Sequence, residues 1–133
     1  MALVTKDPNA SIDASTAMYA PQITGLMAGE DLEAAAPCYI KAADGKVYMS
    51  VGSAADEAAG FAGFTARAAR AGQPVTLFSA GARFHYAPAS LTPGATLYIA
   101  ATPGQLDTAP TTGDEVGVAR ALTPSDIQVT RLI

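Results

Sequence analysis

The sequence contains one histidine, His85, and one cysteine, Cys38, which are its strongest candidates for a catalytic base and a nucleophile. His85 lies in the alternating stretch RFHY, where Phe84 and Tyr86 face one side of a strand and His85 faces the other. A catalytic histidine needs a nucleophile or carboxylate within hydrogen-bond reach, and the neighbouring sequence names none. Cys38 lies in an apolar stretch without the electropositive neighbours that activate a thiol. We therefore interpret His85 as a surface residue and Cys38 as a buried small residue.

Paired carboxylates are the remaining candidates for chemistry, at Asp56/Glu57 and Asp114/Glu115. Such pairs could serve glycoside hydrolysis, but the chain has no tryptophan for an aromatic platform in a sugar-binding cleft. A zinc site needs several Cys or His ligands, and the acidic stretches GEDLE and ADE lack the spacing of a calcium loop. The glycines match neither the phosphate-loop nor the dinucleotide pattern. We expect no cofactor, no metal and no enzymatic activity.

Composition indicates a single acidic domain. The chain has 133 residues, of which 50% are hydrophobic and 15% charged, and its net charge is −4. Its Lys and Arg residues form no run, which argues against direct contact with nucleic acid. The opening MALVTKDPNA has neither a basic region nor a long apolar run, so we expect no secretory signal and no membrane span. A single cysteine fits synthesis in a reducing host cytoplasm.

From residue 23 onward the pattern is one of short strands separated by turns. The stretch AADGK carries the Asp44-Gly45 pair typical of a tight hairpin between two strand-like runs. We predict a second hairpin over residues 73–87, a short helical turn near residues 66–70 and a loop over 102–114. About eight short strands predict an all-β fold, either a sandwich or a small barrel.

The strand pattern occurs twice. Leu32 precedes Tyr39 by the spacing at which Leu91 precedes Tyr98. Farther along come three residues of similar type in each copy, Gly60–Ala62 and Gly117–Ala119, and then strand-like runs at 74–78 and 127–133. We therefore predict that the domain, residues 23–133, consists of two similar halves.

Residues 1–22 differ from the rest because polar residues and prolines surround isolated apolar side chains. Such a segment cannot build a core of its own. It could be a solvated tail, but the apolar residues favour an extended arm that becomes ordered on a partner.

Together these motifs resemble the small decoration proteins, also called cement or head-stabilising proteins, of tailed bacteriophage capsids. The resemblance covers residues 23–133 and rests on the two Leu-to-Tyr turns, the two Gly-Phe/Val-Ala strands and the strand within Gly72–Phe78. The first copy departs from the pattern because Ala34–Ala36 stand where a glycine is common, whereas Gly94 keeps it in the second. The resemblance implies a β-rich homotrimer on the outer surface of the virion, bridging major capsid protein subunits.

This hypothesis assigns contact residues. We expect capsid binding by the apolar residues of the arm and its root, which are Leu3, Val4, Ile12, Met18, Tyr19 and Ile23. Contacts between subunits would involve four aromatic residues, unless these form the core of the domain: Phe61, Phe64, Phe84 and Tyr86. The alternative is a ligand- or carbohydrate-binding β-module that uses Tyr39, Tyr48 and Tyr98. A small hydrolase using an acidic pair is the third and weakest hypothesis.

Overall fold

The computed structural model describes residues 3–8 and 22–131. The predicted all-β fold is confirmed: these residues form ten strands and one short 3-10 helix, Glu57–Ala59. The strands are β1 (Gln22–Met27), β2 (Pro37–Ile40), β3 (Val47–Met49), β4 (Gly63–Thr65), β5 (Pro74–Phe78), β6 (Arg83–His85), β7 (Thr96–Ile99), β8 (Leu106–Asp107), β9 (Ala119–Ala121) and β10 (Asp126–Val129). All strand pairs are antiparallel, and the described residues form two sheets and no closed barrel.

The two sheets have the same strand order. The first is β1-β5-β4-β2-β3, and the second is β6-β10-β9-β7-β8, so each strand of the first half has its equivalent five strands later. The turns agree as well, because Gly45 (φ 69°) and Gly104 (φ 74°) hold the same left-handed position between the equivalent strand pairs. Glycine is favoured there because it lacks a Cβ. The predicted duplication is therefore confirmed.

At Ala35, where the first copy lacks the glycine of the second, the backbone has the same conformation as at Gly94. Ala35 (φ 51°) and Gly94 (φ 87°) are both left-handed, and their N–H groups donate to the equivalent carbonyls of Thr65 and Ala121 at 2.9 and 2.7 Å. Alanine in this region costs about 1–2 kcal/mol of conformational energy relative to the right-handed form. The side chain of Ala35 is fully buried in the core, so its packing offsets part of that cost.

The register of the repeat differs by one residue from the one read in the sequence. The N–H of Ala62 donates to Cys38 and the N–H of Val118 donates to Leu97, which makes Ala62 equivalent to Val118. The sequence pattern instead aligns Ala62 with Ala119. A one-residue slip reverses every side chain of a strand, and small residues at all these positions conceal such a slip.

Three local predictions are wrong. Residues 73–87 form no hairpin, because β5 pairs with β1 and β4 while β6 pairs with β10 in the other sheet. No helical turn lies near residues 66–70, where Ala69 instead forms a bridge with Leu32. The predicted loop 102–114 contains β8, a strand too short to show a period of two.

The two halves share one hydrophobic core. Phe64 of the first half packs edge-on against Phe61 and against Phe84 of the second half, with ring centroids 5.4 and 5.3 Å apart. A second cluster lies within the first half, around Cys38 and Leu77. Phe61, Phe64, Phe84 and Tyr86 are 0–6% exposed. These side chains form the core rather than an exposed surface for subunit contacts, because they join the two sheets.

Candidate functional site

We call the two-sheet part of the chain, residues 22–131, the body, and the described part of the N-terminal region, residues 3–8, the strap. The strap lies on the second half of the body. Leu3 forms an antiparallel bridge with Asp107 of β8. The N–H of Val4 donates to Leu106 at 2.8 Å, and the N–H of Asp7 donates to Tyr86 at 2.9 Å. The strap therefore touches both outer regions of the second sheet, β8 and the residue that follows β6.

Lys6 anchors the middle of the strap. Its Nζ forms an ion pair with Glu33 at 2.8 Å and also donates to the carbonyls of Ala34 at 3.1 Å and Gly104 at 3.4 Å. The ammonium lies 5.9 Å from the centre of the Tyr86 ring, and only 13% of the Lys6 side chain is exposed. Three acceptors and a ring face make this lysine a specific contact, unlike a typical solvated surface lysine.

A histidine–carboxylate contact holds the end of the strap. His85 Nε2 lies 2.7 Å from Asp7, and His85 Nδ1 lies 3.8 Å from Asp126, which also pairs with Arg83. His85 is exposed on β6 while Phe84 beside it is buried, so the alternation predicted from the sequence is confirmed. The carboxylate partner was missed because Asp7 lies 78 residues away.

In the first half, the position equivalent to that of the strap is occupied by the residues that follow β1. Ala28, directly after β1, forms a parallel bridge with Val47 of β3, and the N–H of Gly29 donates to the Val47 carbonyl at 2.9 Å. Val47 is the equivalent of Leu106, to which Val4 of the strap donates. The strap thus fills a place in the second sheet that the residues after β1 fill in the first. We call this place the slot, bounded by Leu106 and Tyr86.

The chain was compared with protein-family models and with curated proteins. No family model matches it, and no curated protein shows significant similarity to it.

The predicted capsid-binding residues have different surroundings. Leu3 is 51% exposed, and Ile23 is half-buried on the outer strand β1, packed against the cluster of the first half. Val4 is 4% exposed and belongs to the core of this chain. Its place inside the slot means that it cannot contact a capsid while the strap is docked. Ile12, Met18 and Tyr19 lie outside the described residues.

The residues considered for catalysis have structural contacts. Cys38 is completely buried, and burial raises the pKa of its thiol, which keeps the sulfur protonated. Asp56 caps the 3-10 helix by accepting from the N–H of Ala58 at 3.0 Å. Asp114 is buried among backbone N–H groups, whereas Glu115 is exposed, so the two carboxylates do not face a common cleft.

The described residues offer neither a metal-binding cluster nor a membrane-spanning helix. Within residues 3–8 and 22–131, no cluster of three or more His, Cys, Asp or Glu side chains is arranged to hold a metal ion. The same part of the chain has no helix of the length and apolar character needed to cross a bilayer.

An aromatic pair lies on the first sheet. Tyr39 and Tyr48 are cross-strand partners with ring centroids 6.0 Å apart, and both are half-buried. Lys41 Nζ lies 5.0 Å from the Tyr48 ring, and the Tyr48 hydroxyl donates to Asp44 at 2.7 Å. This hydrogen bond lowers the pKa of the Asp44 carboxyl and raises the pKa of the Tyr48 hydroxyl. The pair thus presents two partly exposed rings with polar neighbours on the first sheet.

The hydroxyl of Tyr86, beneath the strap, is buried without a hydrogen bond of normal geometry. Burial raises the pKa of Tyr86, and the nearby Leu106 backbone opposes that shift only in part. Removing an unsatisfied hydroxyl leaves no polar group unpaired, so Tyr86→Phe is expected to leave the free energy of unfolding unchanged or raise it by up to about 1 kcal/mol. Denaturant unfolding would measure this change.

The reverse substitution is the control. Phe84→Tyr adds a hydroxyl to the core beside the same sheet and is expected to cost about 1–3 kcal/mol. A loss of more than about 1 kcal/mol in the Tyr86→Phe variant would show that this hydroxyl makes a hydrogen bond after all.

Proposed function

We propose that this chain is a structural protein of a bacteriophage virion, which binds the outer surface of an icosahedral capsid and bridges neighbouring major capsid protein subunits. The observation that carries the proposal is that the body consists of two similar halves. Two sheets of the same strand order give one chain two similarly built parts. Such a body suits a lattice in which the same subunit recurs on either side of a boundary.

The strap supplies the binding mode. It shows that the N-terminal sequence of this chain can attach to a β-edge by backbone hydrogen bonds and one buried apolar side chain. Addition of a strand to an exposed edge is a common way for an extended peptide to bind a larger protein. We assign the same mode to the arm on the capsid, with Ile12, Met18 and Tyr19 as its apolar contacts and Leu3 and Ile23 at its two ends.

The expected assembly follows from avidity. A homotrimer would present three arms to three capsid sites. Contacts that are individually weak would then together keep the trimer tightly bound to the shell. A net charge of −4 suits the outer face of the shell, away from packaged DNA. In this proposal the protein has no catalytic role.

The test is cosedimentation with empty, expanded shells made from the major capsid protein encoded nearest in the same genome. The wild-type chain is expected to pellet with the shells. Replacing Ile12, Met18 and Tyr19 together by serine is expected to weaken binding by more than about tenfold, because buried apolar contacts are lost. This variant leaves the sequences of the strap and of residues 22–131 unchanged.

Val116→Ser is the matched control, since Val116 is 78% exposed on the body and outside the arm. It should bind as the wild type does. Failure of the wild-type chain to pellet with shells would contradict the capsid role. Equal binding by the triple variant would contradict only the assignment of the arm.

The second candidate is a ligand- or carbohydrate-binding module, favoured by the Tyr39–Tyr48 pair. Stacked, partly exposed tyrosines offer an apolar face with polar hydroxyls at its rim. Tyr98 lies at the equivalent position on the second sheet, where its partner is Asp107 and not a second aromatic ring. Binding of glycans in solution that is lost on Tyr39→Ala would support this candidate over the first.

A further inference from the structure

The slot is a built site that the second sheet cannot fill by itself. Its edges are Leu106 and Tyr86, and its occupant supplies two backbone donors, a buried Val4 side chain and the Lys6 ammonium. The first half needs no such occupant because Ala28 and Gly29 already meet Val47 there. The second sheet thus has a position specific for one extended segment.

Nothing in these contacts requires that strap and slot belong to the same chain. The partners of the strap lie in the body, at residues 33–34, 85–86 and 104–107. Residues 9–21 join the strap to β1, and a linker of this length spans up to roughly 45 Å. A domain of about this size has a radius of gyration of roughly 13 Å. The linker is therefore long enough to bring the strap to the slot of a neighbouring molecule.

We propose that the slot is a site for a second copy of this chain, and that the copies assemble by exchanging their straps. Exchange keeps every contact of the docked strap and adds an interface between bodies, so its cost in lost interactions is small. In a closed ring each copy donates one strap and accepts another, which satisfies all slots. Within such a ring, each strap is held close to the slot of its neighbour, so its docking there needs no further encounter between molecules. This assembly does not depend on the capsid role.

The ion pair between Lys6 and Glu33 provides a direct test. A carbodiimide joins an ammonium and a carboxylate at 2.8 Å into an amide, with loss of water to the reagent. One differently tagged copy carries Lys6→Arg, whose guanidinium does not couple, and the other carries Glu33→Gln. After co-expression and purification through both tags, coupling can occur only between the Lys6 of one chain and the Glu33 of the other. We expect a covalent two-chain band on a denaturing gel.

The controls decide between the two arrangements. Each variant expressed alone should give no Lys6–Glu33 amide, and the wild-type chain should give a ladder of joined chains. Coupling inside single wild-type chains, with no two-chain band from the mixed variants, would overturn the proposal. Absence of the amide from the wild-type chain would also overturn it, because the docked strap would then not be the state in solution. Peptide mass spectrometry identifies the joined residues in every case.

Discussion

Asp114→Ala is expected to lower the free energy of unfolding by about 3–5 kcal/mol, since it leaves buried polar groups without partners. The Asp114 side chain is completely buried. It accepts from the N–H groups of Ile99 and Gly117, both at 2.8 Å, and pairs with Arg131 at 3.3 Å. Alanine would orphan both N–H groups inside the protein. A domain of ordinary stability has only about 5–15 kcal/mol to lose.

Chemical denaturation followed by circular dichroism would measure this effect, with the adjacent carboxylate as control. Glu115 is exposed, so Glu115→Ala should change stability by no more than about 0.5 kcal/mol. Asp114→Asn keeps an acceptor and should fall between the two. Equal stability of the Asp114→Ala and Glu115→Ala variants would contradict the assigned role of Asp114.

Gly52→Ala is expected to destabilise the fold by about 3 kcal/mol or to prevent folding, because there is no space for a methyl group. Gly52 is buried where the halves meet: its N–H donates to Ala100 at 2.7 Å, and its carbonyl accepts from Gly113 at 2.7 Å. A Cβ at Gly52 would overlap the carbonyl oxygen of Ile99. Ile99 cannot move away without breaking its hydrogen bond to Asp114.

Gly94→Ala separates the effect of contact from the effect of backbone conformation. Gly94 has φ 87° but open space where a Cβ would lie, so alanine there should cost only about 1–2 kcal/mol of strain. Gly52 has no positive φ, and its cost would come from overlap alone. Melting temperatures of the two variants would give the ranking, and a Gly52→Ala variant as stable as Gly94→Ala would contradict the close approach of the halves.

The duplicated architecture could be predicted from the sequence because its signals are local. The Leu-to-Tyr spacing before Tyr39 and Tyr98 marks equivalent strands, and Gly45 and Gly104 mark equivalent turns. The connection after β5 could not be predicted. Ser79-Ala80-Gly81 has the composition of a hairpin turn, but here it leads the chain from one sheet to the other.

The slot depends on contacts between distant parts of the chain, which no local pattern reveals. Lys6 lies 27 residues from Glu33, and Asp7 lies 78 residues from His85. The sequence predicts that the apolar residues of the arm bind a partner, and the two of them that the structure describes, Leu3 and Val4, contact the body of this chain. Val4 illustrates the limit, since an isolated valine between polar residues has no periodicity to indicate burial.

Each sheet contains strands from one half of the chain only, so the chain could be cut between the two halves without breaking a strand pair. No pairing between named strands crosses from residues 22–78 to residues 83–131. A nick between Ala80 and Gly81 would leave both sheets whole. The two fragments would remain associated through the packing of Phe64 on Phe84 and through the strap, whose residues belong to one fragment and whose slot belongs to the other. The fold is thus a natural starting point for a split protein whose two fragments reassociate, with the strap of one fragment docked in the slot of the other.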